Sequence, residues 1–127
     1  MAKKILLVDD EADFLEVVGE RIRSWGYDCL YASNGKEALD AVRSKKPDMV
    51  ILDYIMPVMD GVATLKEIRN IDDSLPVVML TAHPDIKVIK GAEKLGVGAF
   101  IPKMSPYQSM QGALRSAINM ALKVPSK

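Results

Sequence analysis

The sequence predicts an α/β fold, doubly wound around a parallel sheet. Five short apolar runs are spaced along 127 residues, and a segment of helical period follows each one. Runs one, three and four are continuous rather than alternating, as parallel strands covered on both faces are expected to be. Strand–helix units in tandem call for right-handed crossovers, with helices on both faces of the sheet.

The first strand is expected at Ile5-Leu6-Leu7-Val8. Phe14, Val17, Val18, Ile22 and Trp25 then mark a helical stripe, and Gly26 stands where that helix would stop. Cys29-Leu30-Tyr31-Ala32 reads as the second strand. Asn34 and Glu37 have the spacing of a capping box, ahead of Ala38, Leu39 and Val42. Met49-Val50-Ile51-Leu52 is the third strand, and Asp60-Gly61 reads as a cap and turn before a helix carrying Val62, Leu65 and Ile68. Val77-Val78-Met79-Leu80 is the fourth strand, followed by Ile86, Val88, Ile89 and Leu95, with Gly96 as the stop. Ala99-Phe100-Ile101 is the fifth. The last helix carries Met110, Ala113, Leu114, Ala117, Ile118, Ala121 and Leu122, with Ser105-Pro106 suited to begin it. Trp25, Met49, Met79, Met110 and Met120 read as core fillers.

One domain is expected over residues 1–127, and a chain of this size buries roughly two-thirds of its unfolded surface. Lys plus Arg equals Asp plus Glu, so the net charge is zero and no field favours nucleic acid or an anionic membrane. The single Cys29 cannot form an internal disulfide and fits a reducing cytoplasm. No apolar run reaches the roughly 18 residues of a membrane helix, and Asp9-Asp10 cuts short the apolar start of the chain. A cytoplasmic module is the expectation.

Sheets of this kind gather their chemistry at the carboxyl ends of the strands. The first run ends in Asp9-Asp10-Glu11, the third in Asp53 and the fourth in Thr81, and Lys103 follows the fifth. If runs one and three are neighbours, Asp9, Asp10 and Asp53 converge. Three carboxylates together raise at least one pKa or recruit a cation. Oxygen ligands with no His or Cys nearby favour Mg2+. Thr81 adds a hydroxyl, and Lys103 a mobile point charge of the kind that binds phosphate. A carboxylate in that company suits attack on phosphorus. Taken singly, each residue has an ordinary reading. Asp10 could cap the first helix, Asp53 could be a loop acid, Thr81 a hydroxyl bonded to backbone, and Lys103 a solvated charge. Four such accidents at four strand ends are far less probable together than any one.

Val8-Asp9-Asp10-Glu11, Asp53-Tyr54-Ile55-Met56-Pro57-Val58-Met59-Asp60-Gly61, Leu80-Thr81-Ala82 and Lys103 occur in that order. Together they resemble the receiver domain of bacterial two-component response regulators, from Lys4 to about Leu122. The resemblance implies a flavodoxin-like (βα)5 fold with strand order 2-1-3-4-5. It implies that Asp53 accepts a phosphoryl group from a sensor histidine kinase. Asp9, Asp10, Asp53 and the backbone carbonyl of Met56 would hold Mg2+. Thr81 would bind phosphoryl oxygens and move, Lys103 would pair with the phosphate, and Phe100 would turn inward as Thr81 moves. Output would pass through the fourth helix, fifth strand and fifth helix to a protein effector or phosphotransfer protein, with no direct contact to nucleic acid or membrane.

Two departures bear on these expectations. The family usually has proline after the lysine; here Met104 follows Lys103, and the prolines stand at 102 and 106. A cis bond without proline costs about 3–4 kcal/mol, so the Lys103–Met104 bond is expected to be trans or strained. Pro102 is tolerable if the fifth strand is an edge strand. The resemblance places Ile55 and His83 at the variable positions beside the phosphoryl site, and Ile55 has no polar atom to guide a hydrolytic water, which predicts a long-lived aspartyl phosphate. One competing reading is a receiver-like interaction module that is never phosphorylated. A second is a haloacid-dehalogenase-type phosphatase, which would need an acid where Ile55 stands. A third is a flavin or dinucleotide binder, but Gly96-Val97-Gly98 lacks a third glycine at the required spacing and precedes a strand.

Overall fold

The computed structural model describes residues 2–54, 60–81, 86–103 and 108–122. Five strands alternate with five helices: β1 (Lys4–Val8), α1 (Ala12–Ser24), β2 (Asp28–Ala32), α2 (Gly35–Lys45), β3 (Met49–Asp53), α3 (Gly61–Ile71), β4 (Val77–Thr81), α4 (Ile86–Lys94), β5 (Ala99–Pro102) and α5 (Gln108–Ala121). The sheet is parallel throughout, in the order β2-β1-β3-β4-β5. All five apolar runs became strands. β3 and β4 are buried along their whole length, while the edge strands β2 and β5 are only partly covered. Because β5 is an edge, Pro102 can lie opposite Thr81 without breaking an interior ladder.

Alternate strand residues feed two cores. Leu6, Val8, Val50 and Leu52 face Leu39, Val42, Leu65, Ile68 and Ala92 of α2, α3 and α4. Ile5, Leu7, Met49 and Ile51 face Val18, Ile22, Met110, Leu114 and Ile118 of α1 and α5. Each fully buried aliphatic side chain contributes about 1.5–3 kcal/mol by leaving water.

Local signals fix the helix ends. Asn34 caps α2, its Oδ1 accepting the Glu37 N–H at 2.9 Å, while Glu37 Oε1 takes the Ser33 N–H at 2.8 Å. The pair is thus a capping box that closes on the residue before the cap. Asp60 caps α3 through the Ala63 N–H at 2.8 Å. Gly26 and Gly96, at φ 96° and 77°, turn the chain out of α1 and α4 in a conformation that side chains disfavour. Ser105-Pro106, expected to start α5, lies outside the described residues.

Three stripe expectations and one core-filler expectation, Met120, are corrected. Val17 is 50% exposed, because it sits about 100° round the helix from Val18, and α1 buries Val18 and Ile22 instead. Ile86 opens α4 at 71% exposure, and Met120 is 80% exposed, two residues past the buried Ile118. Ala113 is exposed beside the buried Leu114. Met49, Met79 and Met110 do fill the core.

At the seam of α1 and α5, half-buried Trp25 lies under the Arg115 guanidinium, 5.6 Å from the ring centroid. Beside it the Tyr27 hydroxyl donates to Asn119 Oδ1 at 2.9 Å. Among the described residues no helix is long and apolar enough to cross a membrane.

Candidate phosphoacceptor site

Three strand ends meet at one edge of the sheet. Val8 pairs with Leu52, and Asp53 with Leu80, so the residues that follow β1 and end β3 are neighbours. Asp9 continues the line of β1, its N–H donating to Ala32 O at 3.1 Å. The Lys103 N–H donates to Thr81 O at 2.7 Å, which fixes where the lysine side chain begins.

Ligand oxygens of Asp9, Asp10 and Asp53 lie within 4.8 Å of one another. Asp9 and Asp53 are buried and Asp10 is exposed, so the cluster opens to water at one corner. Lys103 Nζ reaches in, at 2.6 Å from Asp9 Oδ2, 3.1 Å from Glu11 Oε1 and 3.4 Å from Asp53 Oδ2. Asp10 does not cap α1. Glu11 occupies the cap position, and no side chain caps the helix there. Instead Asp9 Oδ1 accepts the Glu11 N–H at 2.9 Å.

The charges are frustrated. Burial pushes the Asp53 carboxyl up to about 6; the Asp9 charge adds to this and Lys103 opposes it. Burial also raises Asp9, against the pull of Lys103. For Lys103, burial works to lower the pKa, but Asp9 and Asp53 outweigh it, and the ammonium is held above its ordinary range. Asp9 Oδ2 is buried, and among the described residues its close partner is the Lys103 ammonium at 2.6 Å. Three converging carboxylates, two of them buried and one open to water, with one ammonium among them, fit a hard divalent cation that keeps part of its water.

Thr81 is fully buried at the end of β4. Phe100 is half-buried, paired in register with Met79 and packed on the α2–α3–α4 core rather than on the acids. Met56, Ile55, His83 and Met104 lie outside the described residues.

Three neighbours escaped the sequence reading. Glu11 stands in the acidic run but carried no role until Lys103 was seen beside it. Phe14 was one residue of a stripe, yet its ring centroid lies 4.3 Å from Lys103 Nζ. Gly61 looked like a turn residue, yet a Cβ there would stand 2.6 Å from Asp53 O and 2.7 Å from Tyr54 Cα. The Gly61 N–H also donates to Tyr54 O at 2.7 Å, so α3 begins hard against the backbone of the acceptor strand.

Residues 5–115 match the response regulator receiver domain. The chain belongs to that family. Among curated relatives, this receiver domain is 34% identical over 114 residues to the transcriptional regulatory protein ZraR of Escherichia coli O157:H7. The match covers 90% of this chain and 26% of ZraR, so the receiver domain spans about a quarter of that regulator's length. It is 33% identical over 115 residues to sporulation initiation phosphotransferase F of Bacillus subtilis, covering 91% of this chain and 93% of that protein. The crystal structure of a receiver domain protein from Clostridium thermocellum superposes with a TM-score of 0.85 at 32% identity, over 95% of this chain and 94% of the other. Family membership and the acid cluster together support a phosphorelay function.

Proposed function

We propose that Asp53 accepts a phosphoryl group from the phosphohistidine of a sensor histidine kinase, and that the resulting charge switches a protein-binding surface. The observation that carries this is the meeting of Asp53 with Asp9, Asp10 and Lys103 at the carboxyl ends of separate strands. An Asp53 carboxylate oxygen attacks phosphorus, the O–P bond forms as the N–P bond breaks, and the imidazole leaves with the electron pair. Asp9, Asp10, Asp53 and the Met56 carbonyl would hold Mg2+, which supplies charge neutralisation at the phosphoryl oxygens when bound. Lys103 offers a second positive charge to the same oxygens. Thr81 provides a hydroxyl from the adjacent strand end.

The new phosphoryl charge draws Thr81 and Lys103 toward Asp53. Phe100 then turns into the space that Thr81 leaves, and α4, β5 and α5 repack against a partner. The domain acts on its own aspartate and turns over no other substrate. The name of the B. subtilis relative, a phosphotransferase that the receiver spans almost entirely, favours relay to a further histidine. The ZraR relative, a transcriptional regulatory protein of which the receiver spans a quarter, favours action as one part of a larger regulator. An unphosphorylated interaction module is the rival reading.

Incubation with a small phosphodonor and Mg2+, followed by intact mass, separates them. The wild-type protein is expected to gain one phosphoryl group and Asp53→Asn none. Equal labelling of both, or labelling of neither, would remove the assignment.

A further inference from the structure

Among the described residues the Lys103 ammonium lies against one aromatic ring, that of Phe14, which the transfer chemistry above does not use. The 4.3 Å separation between Nζ and the ring centroid is well inside the ~6 Å over which a cation is drawn to an aromatic face. We propose that Phe14 is a positioning residue for Lys103, its ring holding the ammonium at the acceptor site when the surrounding carboxylates are otherwise engaged. The proposal rests on the phosphoacceptor reading and deepens it.

Lysine is a point charge on a flexible four-carbon stem, so reaching the site is not enough; the charge must also stay there. The backbone end is held by Thr81 O. The side chain is 13% exposed, and its charged end has Asp9, Glu11 and Asp53 around it, with Asp9 nearer than the acceptor. Those partners are not constant. A divalent cation on Asp9, Asp10 and Asp53 would take up the negative charge of two of the three and repel the ammonium. Glu11 is 66% exposed, so water and salt screen its pull. The ring has no charge to surrender to a cation, and its attraction persists in every ligation state. It is also well anchored, because Phe14 packs on the α1–α5 core with Val18 and Ile22. Leucine would fill much of the same space but offers no ring face.

Two variants and two measurements test this. Phe14→Tyr keeps the ring, and Phe14→Leu removes it while keeping an apolar side chain. With lysines labelled at 13Cε, the Lys103 methylene signal in metal-free protein is expected upfield of the exposed lysines in wild type and Phe14→Tyr. It should fall among them in Phe14→Leu. Phosphorylation by a small phosphodonor at saturating Mg2+ should slow about fivefold in Phe14→Leu and return to near the wild-type rate in Phe14→Tyr. Thermal unfolding checks that both variants are folded. An unshifted lysine in wild type overturns the proposal, as does a Phe14→Leu rate equal to wild type, or a rate lost equally in both variants. A wild-type domain that takes no phosphoryl group would remove the transfer reading, and with it the role of the ring. That result is set apart from a failure of the ring contact by the lysine signal, which is read on unphosphorylated, metal-free protein.

Discussion

Asp53 has two competitors for its charge, a proton and a divalent cation. The carboxyl has an ordinary value of 3.8 and is pushed up to about 6 in the folded state. Between those values the folded chain binds a proton that the unfolded chain does not. Stability from this group is therefore greatest at low pH, falls as pH rises from about 4 to 6, and stays low at pH 7. Replacing the acid by its neutral isostere should relieve that loss. In the presence of chelator, Asp53→Asn is expected to raise the thermal midpoint at pH 7 by roughly 3–6 °C, with a gain that shrinks toward pH 5. A variant that melts no higher than wild type at pH 7 would contradict the raised pKa. Cys29 stands in contrast: burial pushes its thiol up to about 11, which makes it a packing residue rather than a nucleophile.

At the scale of elements, the start of α3 at Gly61 lies close against the end of β3. Two of the three atoms nearest a Gly61 Cβ are backbone, Asp53 O and Tyr54 Cα, and backbone cannot step aside as a flexible side chain can. Gly61→Ala is expected to cost about 1–3 kcal/mol in urea unfolding and to slow phosphorylation by displacing Asp53. Gly91 in α4 makes the control. Its nearest neighbour would be Val62 Cγ1 at 3.9 Å, so Gly91→Ala should stabilise by about 0.5–1 kcal/mol. Similar effects at both positions would argue against the close approach. The strands were legible because β1, β3 and β4 lie between helix layers and need apolar residues on both faces, short of the ends that carry the site. Helix faces were less legible. Val17, Ile86 and Met120 are apolar but exposed, and periodicity cannot tell an inward valine from the one beside it. Gly61 could be read as a turn, but how near Asp53 lies depends on how α3 docks.

Over the whole molecule, residues far apart in the chain become one site. Asp9 follows β1, Asp53 ends β3, and Lys103 follows β5. The order β2-β1-β3-β4-β5 puts β1 beside β3, which turns two distant acidic stretches into one cluster. The acids were visible in the sequence as a list of strand ends; their convergence depends on that order, which the apolar runs alone do not encode. Lys103 keeps its place beside the acids even though Met104, not proline, follows it. Since only the folded chain assembles the cluster, a cation that binds it must stabilise the fold, by about 2.7 kcal/mol at a hundredfold excess over its dissociation constant. Mg2+ is thus expected to raise the thermal midpoint at pH 7 and to do so less at pH 5, where protons compete for Asp53. No rise at either pH would count against a cation site.

The seam of α1 and α5 has a practical consequence. Trp25 is the only tryptophan in the chain, and it lies under Arg115 at the far end of α1, about 20 Å of helix from the acids. Tyr27 and Asn119 fasten the same seam. The molecule therefore carries its own optical gauge: the colour of its single indole emission registers how firmly the last helix is seated on the first. Any change in that colour on phosphorylation has been relayed through the packed interior, because no reacting atom comes near the dye.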